Sequence, residues 1–141
     1  MLPEMEMLQY IYKTADMGVS GIDSVLKRLE SSPVQEALES QRSEYLDIGH
    51  KAKALIESRG GEAEGAGAMA KTSADLMTAG KMAMDASPSK IAEMTIQGTT
   101  MGITKTIKHL HDSSQSGEAA NLGQRLLDLQ ERNLEEMKKY L

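Results

Sequence analysis

The chain has no cysteine, and that absence removes disulfides, thiolate nucleophiles, cysteine-ligated zinc and iron–sulfur clusters from consideration. It also has no Phe and no Trp, and its only aromatic residues besides histidine are four tyrosines. A nucleic-acid surface wants a positive stripe and stacking rings. Here the formal net charge is −5, with lysine and glutamate interspersed and no basic run, so nucleic acid is not an expected partner. No stretch approaches the ~18 consecutive apolar residues of a membrane span. The segment MLPEMEMLQYIY carries acidic rather than basic residues, unlike a secretion signal. The expected location is the cytoplasm.

What the chain does have is methionine, eleven in 141 residues, together with leucine and isoleucine at helical spacing. Methionine is flexible enough to fill irregular gaps in a core that lacks large rings. The length is that of one domain, expected to span 1–141.

Apolar residues at intervals of three and four put one face of a helix against a core. Leu8, Ile11, Ala15, Val19, Ile22, Leu26 and Leu29 predict a first helix from about Glu4 to Glu30. Gly18 and Gly21 interrupt it and are expected to let a neighbouring helix come close. Ser32, Pro33 and Gln35 read as a capped helix start, and Val34, Leu38, Gln41, Tyr45, Ile48, Ala52 and Leu55 continue that helix to about Arg59. Gly60-Gly61 stops it. So short a joint makes the first two helices antiparallel neighbours.

Residues 60–87 are rich in small side chains. Met69, Leu76, Met77 and Met82 recur regularly enough to predict a weaker helix over 66–84 that packs. Ser87-Pro88 starts the next, from Pro88 to about His111, with the stripe Ala92, Ile96, Ile103, Ile107 and Leu110. Met94, Gly98 and Met101 lie beside that stripe, which predicts a largely buried helix, and Gly98 and Gly102 mark a face for a partner helix. After a polar break over 112–117, Leu122, Leu126, Leu129, Asn133, Met137 and Tyr140 define the last helix. Four long helices with one long middle connection predict an all-α bundle. The connection carries the chain back along it, so that the second and third long helices run parallel.

The pieces YKTADMG (12–18), IAEMTIQGTTMGITK (91–105) and NLEEMKKYL (133–141) resemble a group of small proteins of anaerobic Gram-positive bacteria. That group is itself similar to ferritin-like domains of unknown function. The resemblance implies a ferritin-like four-helix bundle with a short extra helix in the middle crossover, and it brings no activity with it.

Ferritin-like bundles that bind two metals use inward carboxylates and a Glu-x-x-His pair on each of two helices. No Glu-x-x-His occurs here; the nearest substitute is Asp47-Ile48-Gly49-His50. With Ile48 on the apolar stripe, Asp47 and His50 fall to its sides, as Asp16, Glu44 and Glu93 fall beside theirs. Those five residues are the candidate metal ligands. Gln41, Gln97 and Asn133 are expected to bond one another, or Tyr45, inside the bundle and fix its register. His109 and His111 mark an exposed helix end. Ser87-Pro88-Ser89-Lys90 matches a nucleophile motif only in letters and reads as a helix start. No catalytic constellation and no cofactor site is evident. The expected function is a non-enzymatic bundle that binds a second copy (a dimer) or another protein. The alternative is a variant ferritin-like protein handling iron or peroxide.

Overall fold

Ser87 accepts the Lys90 N–H on its hydroxyl at 3.2 Å, with Pro88 in the first turn, as the chemistry of that dipeptide requires. At another boundary Gly60 takes φ +81°, and the N–H groups of Gly60 and Gly61 turn back to the carbonyls of Glu57 and Ile56. A left-handed glycine closed by two such bonds is how helices commonly end. In the computed structural model, which describes residues 2–114 and 116–141, five helices follow: α1 Glu4–Leu26, α2 Gln35–Ser58, α3 Ala68–Met84, α4 Pro88–Asp112 and α5 Glu118–Lys138. Among the described residues there is no strand, only a lone bridge from Leu2 to Ser113. Among the described residues, no helix is long and apolar enough to cross a membrane. Gln115, within the expected polar break, and Met1 lie outside the described residues.

Two expected boundaries shift. Helix α1 ends at Leu26, because the bonds Arg28 to Val25 and Leu29 to Leu26 tighten the chain into the turn. Helix α2 starts at Gln35 without the expected capping box. Val34 is fully buried and already helical in its backbone, and Ser32 reaches only the Val34 N–H at 3.4 Å.

Side-chain contacts fix the directions. Asp23 meets Arg42 and Glu4 meets Arg59, so α1 and α2 are antiparallel. Glu44 meets Arg132 and Asp47 meets Arg125, which makes α5 antiparallel to α2. Tyr10 bonds Thr106 while the Leu2 N–H bonds the Asp112 carbonyl, so α4 runs against α1. It follows that α2 and α4 run the same way, as the long connection predicts. Asp16 meets Lys71 and Ser24 meets Asp75, so α3 runs parallel to α1 and returns the chain to the end at which α2 begins.

The stripes of α1, α2 and α5 meet in one core, with Leu8, Ile11, Leu38, Ile48, Leu126 and Leu129 shut off from solvent. Helix α4 departs from the expectation of burial. Only Ile91, Ala92 and Thr106 are buried, Met101 is exposed, and the isoleucines between are partly covered. The reason is placement: α3 packs mainly against α1, and α4 touches α1 only lightly, so α4 keeps an open flank.

The glycines divide as well. A Cβ on Gly18 would lie 2.9 Å from three ring atoms of Tyr45, so this glycine is a true notch. A Cβ on Gly21 would meet nothing within 4 Å, so Gly21 admits no neighbour. Gly21→Ala should therefore stabilise the protein by about 0.5–1 kcal/mol through helix propensity alone, read as a higher urea midpoint at unchanged slope. A lowered midpoint would mean that position 21 is covered after all. The expected Gly98/Gly102 docking face is likewise split. Gly98 faces open space, and a Cβ on Gly102 would come within 2.7 Å of the Gln130 amide of the same chain.

Candidate functional site

Asp16 is a bracket for the crossover. Its carboxylate accepts the Ala66 N–H at 2.9 Å and pairs with Lys71 at 2.9 Å. Glu44 pairs with Arg132 at 3.3 Å. Asp47 pairs with Arg125 at 2.7 Å and with Lys51 at 3.1 Å, and these two cations hold its carboxyl below the usual range. Glu93 lies 3.6 Å from Lys90, and His50 is exposed. Among the described residues, no three His, Asp or Glu side chains come together in a group that could hold a metal ion. The five sequence candidates are thus dispersed, and the four carboxylates each face a cation.

The polar residues inside the bundle form two sets. In the first, the Thr106 hydroxyl donates to Gln130 Oε1 at 2.8 Å, so its own oxygen is left to accept from the Tyr10 hydroxyl at 2.9 Å. The His109 ring stacks on Tyr10, centroids 3.6 Å apart, and donates from Nδ1 to the Lys105 carbonyl. Neither Thr106 nor Gln130 stood out in the sequence. Gln130 follows Leu126 by four and precedes Asn133 by three, so the spacing of its stripe contained it.

The second set is Gln41, Tyr45 and Asn133. Tyr45 is buried, which pushes its phenol pKa up, and the adjacent Asn133 side chain pulls it partly back. No bond of good geometry forms between them. The Asn133 Nδ2 and the Gln41 Nε2 are both buried without an acceptor. The expected register network is therefore incomplete, and Gln97 is exposed and takes no part. Both residues border an open cleft of about 780 Å³ between α2 and α5, with these two nitrogens closed off from solvent.

A third feature lies on α3. Its inner side is clasped to α1 through Asp75, which accepts from Ser24 at 2.5 Å, from Lys27 at 2.9 Å and from both nitrogens of Arg28 at 2.7 and 3.0 Å. These donors, Arg28 foremost, hold the Asp75 carboxyl far below the ordinary range. Of the apolar residues expected to pack, only Met82 does. Met69, Leu76, Met77 and Met84 are 84, 67, 65 and 90% exposed. No protein-family model, curated protein or solved structure matches this chain.

Proposed function

We propose that the chain is a ferritin-like bundle that works by binding protein, first of all a second copy of itself, through the outer face of α3. The observation behind this reading is the outward row Met69, Ser73, Leu76, Met77, Gly80 and Met84, spaced for one side of a helix. Four large apolar side chains left this open amount to roughly 500 Å², a size at which patches on single chains commonly serve association. The exposed residues of α3 include one charge, Lys81, since Lys71 and Asp75 are engaged with α1.

The row is also self-complementary. A twofold axis between Leu76 and Met77, with the two copies of α3 antiparallel, sets Met69 opposite Met84 and Ser73 opposite Gly80. Large residues then meet at the centre and the ends, and the small pair between them lets the helices approach. That is the pattern an isologous interface requires.

Sedimentation equilibrium should give twice the 15.3 kDa chain mass at micromolar concentration. The double substitution Leu76→Glu with Met77→Glu should give the single-chain mass with unchanged helicity, since both side chains already face water. Wild type that stays at 15.3 kDa at high concentration would overturn the second-copy reading.

A further inference from the structure

We propose that Met69, Met77 and Met84 are oxidant-responsive modification sites: their conversion to methionine sulfoxide keeps the chain single, and reduction of the sulfoxides lets two copies pair again. This regulation rests on the pairing of two copies through the outer face of α3 proposed above.

The chain has no cysteine, so its eleven methionines carry all of its sulfur. The thioether is the group here that most readily takes up oxygen from a peroxide. Exposure divides these methionines. Met7, Met82 and Met137 are buried, and Met5, Met17 and Met94 are partly covered. Met69, Met77 and Met84 stand open to solvent, all three in the row that α3 turns outward. Met101 on α4 is as open as Met77, 63 against 65%, and lies outside that row. An oxidant therefore reaches the row of a single chain and spares the core.

The step is an oxygen transfer. A sulfur lone pair attacks one oxygen of hydrogen peroxide. The S–O bond forms, the O–O bond breaks, and the second oxygen leaves as water with both protons. Each sulfur loses two electrons and the peroxide gains them. A thiol-dependent reductase reverses the change: two thiols become a disulfide, and the sulfoxide oxygen leaves as water.

The oxidised row no longer suits the contact. A sulfoxide oxygen is a polar group that is costly to bury without a hydrogen-bond donor. The row brings one side-chain donor, the Ser73 hydroxyl, to the three sulfoxides of each chain. In the single chain water serves all three. Two faces of roughly 500 Å² bury roughly 1,000 Å² together, the lower bound of a specific contact, so little loss is tolerated. Pairing in turn covers the sulfurs, so each process opposes the other.

The test is sedimentation equilibrium of the full chain before and after hydrogen peroxide, with oxidised positions read by peptide mass spectrometry. Before oxidant the mass should be twice 15.3 kDa. Afterwards Met69, Met77, Met84 and Met101 should each carry one added oxygen, with Met7, Met82 and Met137 unmodified. The dissociation constant of the pair should rise by about tenfold or more at unchanged helicity. Methionine sulfoxide reductases with dithiothreitol should restore it. Raising the protein concentration should slow oxidation of the row and leave the rate at Met101 unchanged. The triple variant Met69→Leu, Met77→Leu, Met84→Leu keeps the row apolar and should stay paired in peroxide, whereas Met101→Leu should respond as wild type does. A single-chain mass before any oxidant would overturn the pairing and this inference with it. Pairing that survives oxidation of all three methionines, or that is lost equally in the triple variant, would overturn this inference alone.

Discussion

Asp75→Asn should release α3 from the bundle and leave the other four helices folded. Helix α3 buries one large side chain, Met82, and turns its other large apolar residues outward, so apolar packing holds it weakly. A 17-residue helix containing Gly80 is marginal in water without tertiary support. What remains are the brackets at Asp16 and Asp75. Isolated surface ion pairs contribute little. Asp75 differs in that Ser24, Lys27 and both nitrogens of Arg28 converge on one carboxylate, with the guanidinium bound in forked fashion. Asparagine offers no charge and a single acceptor oxygen, so the fork opens. Limited proteolysis within 61–87 should quicken by roughly tenfold or more, while helicity of the remainder persists. Unchanged cleavage would show that Met82 and Asp16 suffice.

The same clasp sets a pH dependence. The Asp75 carboxyl is lower in the folded chain than in the unfolded one. Its contribution is therefore fully present above the ordinary carboxyl range and is lost only as the pH falls through the lowered folded value. Wild type should keep α3 docked through mild acid and shed it in strong acid, and Asp75→Asn should show the undocked behaviour at neutral pH.

Helix α3 lies where the sequence predicts a helix, over Ala68–Met84, but its apolar residues do not pack as expected. A period of three and four residues says that a helix has an apolar face, and it does not say what that face touches. In α1, α2 and α5 the stripes led directly to the core, down to Ile11, Ile48 and Leu126. In α3 the same grammar of methionine and leucine points to solvent. The side that carries Lys71 and Asp75 faces α1. The carboxylates failed for a related reason. Glu44 and Arg132 are 88 positions apart, and no spacing rule reveals that one neutralises the other. Gln41 and Asn133 were legible as inward residues because each sits on a stripe. That their amide nitrogens find no acceptor depends on how the helices pack around them, which no pattern of residues encodes. Chain direction was more accessible: a 28-residue connection between tight joints leaves room for one lengthwise return, and residues 60–87 make it.

Gly18→Leu should be among the most damaging single changes at a position without a side chain. The notch it fills is occupied by the Tyr45 ring, whose Cγ, Cδ2 and Cε2 atoms would all lie 2.9 Å from a new Cβ. Had only the far end of a flexible side chain been close, a small rotation would relieve the clash. Cγ is bonded to the Tyr45 Cβ, so the ring cannot retreat without moving α2, and Tyr45 is buried in the core. Helix propensity favours leucine over glycine by up to ~1 kcal/mol, as at Gly21. Overpacking of a fixed ring costs about 1–3 kcal/mol for a few added carbons and more when backbone must shift. A net loss of about 2–3 kcal/mol is expected, lowering the thermal midpoint by roughly 5–10 °C. The cause can be separated from any general intolerance at position 18. Tyr45→Ala alone should cost about 3–5 kcal/mol by emptying the notch. Combined with Gly18→Leu it should cost about 1–3 kcal/mol less than the two changes added together, because the leucine enters the space that the ring vacates. Strict additivity in that cycle would mean that the two residues do not share the space, and that the close approach of α1 to α2 has another origin.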